Sequence, residues 1–554
     1  MVARQIILFL FLAAGIVIPA AGQGITDSIF AISEVAVRHT DDFRKEQAGM
    51  KRTTVDTLIL QHQVHTDLST LLAENTNIYI RDYGRGALAT ASFRGTAPSH
   101  TQVTWNGLNI NSPMLGMVDL SLVPVFIIDE LNIHHGAASV ASRSGGLGGH
   151  VEMRSLPDWS NRTGGRGYMD YGSFGTAGGM AQLDLGSTKF QSKTRLYSSG
   201  SENDYPFVNK NPSADHGNTT SPAGRSGFSP GAGPSTNHEN TPAPSPAGRA
   251  VISNRTWLQA AGRSVPTVLS SEYQPGGLQR DNRQGDRTMK NVTEYNFYGE
   301  LTKVQVRSGI DYQRLDYSME TEVVGLHRQK NVDSESRMLS WYNSGSVRHN
   351  FSKRLSADAQ AAFNRYGIAT FDSATHTGYD TVRLEASFFG GLYFSAVEQL
   401  QLSVQLRQDL VSDHTSPLIY TFGVNYRPLE KHDLLIRGNF ARNYHHPTLN
   451  DMYWQPGGNP DLRPEEGYTG EVTVLWEAAD EKRSVSTSLT GYYSRISDWI
   501  LWLPGFKGYW EPVNLAEVRS YGLEYQLSAE LAAGRTRLRL HGNVALSHTR
   551  DFSG

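Results

Sequence analysis

The chain is 554 residues long, has a formal net charge of -3 and contains no cysteine. Disulfides, thiol catalysis and thiolate metal sites are therefore excluded, and the near-neutral charge gives no electrostatic case for a nucleic-acid partner. With 38% hydrophobic residues and a mean hydropathy of -0.41 it is too polar for a bundle of membrane helices, while 54 glycines and 25 tyrosines suit many strands and turns.

At the start, Arg4 precedes the apolar run IILFLFLAAGIVI (6–18), and Ala20 and Gly22 stand at positions -3 and -1 of a cut before Gln23. This is the pattern of a cleaved signal peptide over residues 1–22; the alternative, a membrane anchor, needs about 20 apolar residues to span. Residues 23–50 are polar except for the β-prone patch ISEVAV (Ile32, Ser33, Glu34, Val35, Ala36, Val37). In residues 51–157, TDLSTLLAEN offers a helix cap at Thr66 or Asp67, with Leu68, Leu71 and Leu72 at helical spacing. NIYIR and QVTW read as strands, the second closed by a turn at Asn106 and Gly107, and FIIDELNIHHG and GGHVEMRS are two more. These pieces predict a compact α/β unit.

Beyond Pro157 the pattern becomes strand alternation. Leu418, Tyr420, Phe422, Val424 and Tyr426 alternate with Ile419, Thr421, Gly423 and Asn425; Leu434, Ile436 and Phe440 interleave with Arg437 and Asn439. A soluble sandwich alternates too, but segments of about ten residues with charge on the polar face favour a transmembrane antiparallel β-barrel over residues 158–554. Tyr426 and Tyr444, near strand ends, read as interfacial girdle residues. Residues 211–248 are low-complexity and too polar to form a packed core. In a barrel they would be a long extracellular loop, either without a dedicated role or closing over a ligand.

No hydrolase triad, phosphate loop or metalloprotease motif is present, so the chain does not read as an enzyme. The pairs His134/His135 and His445/His446 do not read as metal ligands, because adjacent strand residues point to opposite faces. The run TLNDMYWQPGGNPDLRPEE combines a loop with Tyr453 and Trp454, which are candidates for substrate contact; a structural turn is the alternative.

Several of these stretches, in order, resemble the TonB-dependent outer-membrane receptors. Ser92, Arg94 and Gly95 match the family's Ser-x-Arg-Gly element, and Thr101, Val103, Asn106 and Gly107 match its Thr-x-Val-x-x-(Asp/Asn)-Gly turn. Gly136, Ser139, Gly148 and Gly149 fit the next plug element, and NPDLRPE (459–465) resembles the barrel signature. YGSFGT, SENDYPF, ARNYHHPTLNDMYWQPGGNPDLRPE and SRISDWILWLPGFKGYWEPVNLAEVRSYGLE resemble the cobalamin-receptor-like branch of Bacteroidetes-type bacteria.

The resemblance implies an N-terminal α/β plug inside a barrel of about 22 strands in the bacterial outer membrane. It implies TonB, with ExbB and ExbD, as the energising partner, outer-membrane lipid around the barrel, and a small-molecule ligand that is cobalamin or a related corrinoid. A siderophore or other metal chelate is the alternative cargo. The competing class is a barrel-anchored binding protein that captures ligand for a surface lipoprotein without transporting it. No cofactor is implied. ISEVAV is then the TonB box, able to add as a strand to a partner sheet. The family's plug arginines face barrel glutamates: Arg94 matches the first, Glu471 and Glu524 fall where those glutamates lie, and His135 stands where the second arginine is usual, implying a weaker, pH-sensitive contact. The 397 residues after Pro157 are few for about 22 strands, and the ending HTRDFSG lacks a terminal aromatic residue. A sequence lacking several closing strands is therefore expected.

Overall fold

The computed structural model describes residues 48–83, 87–136, 146–157, 163–203, 249–265, 279–322, 329–412, 414–429, 433–480, 482–515, 517–533 and 536–552. The signal-peptide reading of 1–22, the ISEVAV patch at 32–37, Ser139 and the low-complexity residues 211–248 lie outside them.

The N-terminal unit is built from β1 (Arg52–Thr54), α1 (Thr57–His62), α2 (Leu68–Asn75), β2 (Tyr79–Asp82), β3 (Ala89–Ser92), β4 (Thr101–Trp105), β5 (Leu108–Asn109), β6 (Glu130–His135) and β7 (Gly149–Arg154). Helix α2 starts where the sequence places it, because the Asp67 carboxylate accepts the Thr70 N–H at 2.9 Å and satisfies one of the free donors of the first turn. Helix α1, not anticipated, is capped the same way by Asp56 accepting from Leu58 N. Five strands form a sheet in the order β1-β6-β7-β4-β5, in which β4 and β7 run parallel and the other pairs antiparallel. Asn106 and Gly107, both at positive φ, make the tight turn from β4 to β5 that the Asn-Gly pair predicts. Leu68, Leu71, Leu72, Leu131, Ile133 and Met153 are fully buried in this unit. The same core continues into the surrounding wall through Trp105, whose ring meets Trp257 edge-on at 5.8 Å.

That wall is one sheet of sixteen strands of 8 to 22 residues, from Gly164–Gly172 to Thr536–Asp551, with the two-residue strand His414–Thr415 beside Leu400–Val411. Consecutive strands pair in sequence order around the wall, and the N-terminal unit bonds to strands spread along it, from Arg195 through Arg255, Tyr342 and Ser403 to Glu524. The α/β unit is thus a plug within the curve of the barrel wall. A count of sixteen long strands among the described residues compares with the about 22 of a complete family barrel.

Which face of the wall is apolar decides its solvent. In Leu400–Val411, Leu402, Val404, Leu406 and Leu410 are 38–42% exposed on the outside, while Gln401, Ser403, Gln405, Arg407 and Asp409 are buried on the inside. Ile419–Tyr426 repeats this, with Phe422 and Tyr426 outside and Thr421 and Asn425 inside. A soluble sandwich buries its apolar face; this sheet presents it outward and keeps charge within, as a lipid-facing barrel does. Two expectations need correction. Tyr444 is not a girdle residue: it is 1% exposed, packed with Ile419 and Phe389, and its hydroxyl meets His446 Nδ1 at 3.1 Å. The wall is also not wholly antiparallel, since Phe190–Ser201 pairs in parallel with Arg249–Ser264.

Candidate functional site: the seam between plug and barrel

Arg94 follows β3 in a left-handed backbone conformation, φ 51°, which turns its side chain out of the plug toward the wall. Its Nη1 donates to Glu471 Oε2 at 2.7 Å, Nε to Glu524 Oε1 at 2.7 Å and Nη2 to Glu524 Oε2 at 3.0 Å. The guanidinium lies over the Tyr492 ring at 4.3 Å, and Ser520 Oγ donates to the Arg94 carbonyl. Burial opposes the charge on Arg94, but Glu471 and Glu524 outweigh it and hold the guanidinium protonated above its ordinary range. Gly136, at φ +71°, leaves room for this fork, since a Cβ there would sit 3.0 Å from Arg94 Nη1. Gly95 lies against Thr549 of the last strand, and Gly148 and Gly149 lie against Thr96 and Phe93.

The second cation of the cluster is one the sequence did not flag. Lys51 Nζ donates to Glu524 Oε2 at 2.7 Å, with both side chains 5% exposed. Asn439 Nδ2 donates to the remaining Glu471 oxygen at 2.6 Å, so all four carboxylate oxygens have partners and two cations balance two anions. Burial presses the Lys51 ammonium below its ordinary range, against the pull of Glu524. Just before Lys51 the backbone is stitched to the wall: Ser403 Oγ donates to Ala48 O, Gly49 N to Asn425 Oδ1, and Asn439 Nδ2 to Gly49 O, at 2.8–2.9 Å. A Cβ on Gly49 would fall 2.4 Å from Gly423 Cα, so the plug backbone crosses the barrel backbone in contact.

His135 does not join the cluster as a weaker arginine. It ends β6, and its Nε2 meets Thr53 Oγ1 at 3.1 Å instead of either glutamate, because Lys51 already occupies that side of Glu524. Burial first, then the Lys51 and Arg94 cations and His134, hold its imidazole well below the ordinary value; only Glu524 pulls the other way. The folded plug therefore keeps His135 neutral, while an unfolded histidine takes up a proton near pH 6.5. Stability from this burial is complete above about pH 6.5 and is lost as pH falls, because the unfolded state then binds the extra proton. Urea unfolding of the plug from pH 8 to 5 is expected to weaken by up to about 1.4 kcal/mol per pH unit more in the native chain than in His135→Gln. Equal slopes would contradict this.

The other motif residues are framework. Ser92 closes β3 opposite Tyr79; Thr101 opens β4, and its hydroxyl donates to Ala91 O at 3.0 Å; Asn106 Oδ1 accepts from Ser155 N at 2.8 Å. Tyr453 ends a short helix, Leu449–Tyr453, capped by Thr448, and Trp454 follows it; both are partly exposed, at 36% and 43%. Neither lines the cleft between plug and wall, which is open to solvent and is walled instead by Asn111, Tyr366, Arg383, Glu385, His445 and His446 among others. His445 and His446 diverge as expected of neighbours: His446 turns to Tyr444, and His445 Nδ1 donates to Glu465 Oε2 at 2.6 Å. A carboxylate does accompany His445, because Glu465 is its direct cross-strand partner.

A plug clasped inside a lipid-facing wall invites comparison with known proteins. The TonB-dependent receptor-like β-barrel model matches residues 225–554, and the TonB-dependent receptor plug domain matches residues 44–150. The chain belongs to the TonB-dependent receptors. These are outer-membrane barrels that bind small ligands and work with TonB, receptors rather than enzymes. Over 449 residues, 80% of this chain and 66% of the relative, the receptor is 23% identical to the vitamin B12 transporter BtuB of Vibrio vulnificus. It is 21% identical over 465 residues, 81% of this chain and 68% of the relative, to BtuB of Photobacterium profundum. The chain thus spans about two thirds of the length of these relatives. A mutant of the ferric enterobactin receptor PfeA from Pseudomonas aeruginosa superposes with a TM-score of 0.60 at 13% identity, covering 91% of this chain and 80% of that one. The siderophore receptor PirA from Acinetobacter baumannii gives 0.55 at 14%, covering 92% and 81%. At such identities the structural likeness shows the fold alone.

Proposed function

We propose that this receptor is an active transporter that imports a scarce, large nutrient, cobalamin or a related corrinoid, driven by the proton-motive force through TonB with ExbB and ExbD. The protein is exported by way of residues 1–22. The observation that carries the reading is the continuity between the N-terminal approach and the latch: residues 48 and 49 bond to the wall, and Lys51 bonds to the same Glu524 that holds Arg94. Ahead of them lies ISEVAV, a TonB box by motif, whose backbone can pair with a partner sheet. A pull on that segment reaches the stitch first, Lys51 next and the Arg94 fork last. Ligand enters from the rim of long connections, where the cleft offers Arg383, Glu385 and Tyr366. This polar lining suits the amide-fringed edge of a corrinoid, and the likeness to two vitamin B12 transporters supports that class of cargo.

Calorimetry on the detergent-solubilised receptor tests the cargo. Cobalamin is expected to bind at micromolar concentration or tighter, and ferric siderophores to give no saturable heat. The reverse result would transfer the receptor to metal-chelate uptake, the cargo named by the structural neighbours.

A further inference from the structure

Among the described residues, Glu465 is a buried carboxylate with no lysine or arginine paired to it. Glu471 and Glu524 each face an arginine, and Glu524 a lysine too; the side-chain partners of Glu465 among the described residues are two imidazoles. His445 Nδ1 lies 2.6 Å and His100 Nε2 2.8 Å from the same Glu465 Oε2, and the three side chains are 7%, 1% and 2% exposed respectively. Two unrelated elements deliver the histidines. His445 ends the strand Asp433–His445 directly across the ladder from Glu465, and His100 ends the 3-10 turn Pro98–His100 of the plug. The group is also held from outside: Ile500 N donates to Glu465 Oε1 at 2.8 Å, and the Trp499 ring packs edge-on against His100 at 4.6 Å.

We propose that His100, His445 and Glu465 form a binding site for a divalent transition metal of the zinc class, which staples plug to barrel near the outer rim. The three candidate donor atoms lie within 4.8 Å of one another. A tetrahedral ion with bonds of about 2.0–2.2 Å holds its ligands about 3.3 Å apart. Each nitrogen therefore needs to draw back from Glu465 Oε2 by about half an ångström, and the two nitrogens, within 4.8 Å of each other, need to settle at the same spacing. Two imidazole nitrogens and one carboxylate oxygen match zinc with an open fourth position; calcium and magnesium prefer oxygen ligands alone, and copper(I) prefers sulfur. Water reaches the fourth position from the cleft, which His445 lines. Proton balance needs no release: each neutral imidazole moves its proton to the opposite ring nitrogen. On His100 this gives up a long 3.3 Å contact from Ala97 N to Nδ1, the weakest in the group. The ion then supplies the positive charge that Glu465 lacks. The site lies six residues along the strand from Asn439 and the Arg94 latch, about 20 Å away at the rise of a β-strand, so it is a second, separate point of attachment.

The test uses the tag-free full-length receptor in detergent, stripped with a chelator and titrated with zinc alone. One equivalent is expected to bind, and His100→Ala and His445→Gln are each expected to weaken it at least tenfold while the barrel keeps its heat-modifiable gel mobility. Cobalt in place of zinc should give the visible absorption of a tetrahedral ion in the native chain only. Zinc should also slow protease cleavage of the plug in the native chain and not in His100→Ala. No saturable binding, or binding unchanged in both variants, overturns the site; binding without plug protection overturns the staple.

Discussion

Replacing Arg94 by alanine is expected to unseat the plug. The substitution removes three charge-assisted hydrogen bonds at once and leaves Glu471 Oε2 and Glu524 Oε1 facing empty space in the seam. Breaking a buried pair by removing one partner costs about 3–5 kcal/mol, because the orphaned charge stays desolvated. Against a domain stability of about 5–15 kcal/mol that is a large share. Lysine is a poor substitute, since one ammonium cannot reach both carboxylates as the planar fork does. The two glutamates should differ. Glu524→Gln removes the counter-charge of Lys51 and half of that of Arg94, whereas Glu471→Gln leaves Glu524 serving both cations. Urea unfolding followed through plug tryptophan Trp105 should rank the losses Arg94→Ala and Glu524→Gln first and Glu471→Gln last. Cells carrying Arg94→Ala should also admit bulky hydrophilic antibiotics that the native receptor excludes. An unchanged urea midpoint in Arg94→Ala would remove the latch from the account.

Much of this arrangement was legible in the sequence, for reasons that also explain what was not. The Asp67 cap, the Asn106–Gly107 turn and the alternation around Phe422 are local: each is set by residues within a few positions, and each appears where expected. Arg94, Glu471 and Glu524 came together because motif resemblance, unlike spacing, carries contacts across about 400 residues. Lys51 had no such carrier. It stands beside Arg52 in a stretch without period, and its partner is 473 residues away. Alternation likewise gives the face of a side chain but not what covers it, so Tyr444, in the outward phase near a strand end, was read as a girdle residue although Ile419 and Phe389 enclose it. The group at Glu465 hides in the same way. His445 and Glu465 pair only once the 19 intervening residues fold back, and His100 arrives from the plug.

Deleting residues 32–37 should abolish uptake and leave ligand affinity and plug stability unchanged. The cleft, the Arg94 fork and the stitch at residues 48–49 all lie downstream of the deletion, so nothing that binds ligand or seats the plug is touched. What disappears, on the proposed function, is the segment offered to TonB. The energetics make that grip sufficient. An energised membrane supplies about 2.3 kcal/mol per proton per 100 mV, so the return of a few protons matches the about 3–5 kcal/mol of the latch. The geometry lets this work arrive in steps. A pull along the N-terminal segment meets the bonds of Ala48 and Gly49, then Lys51, then the short β1, rather than loading the Arg94 fork all at once. Uptake of radiolabelled cobalamin by cells, set beside binding to the purified variant, separates coupling from recognition. Uptake at the native rate would show that force does not enter through residues 32–37, and loss of binding would show that the segment belongs to the ligand site instead.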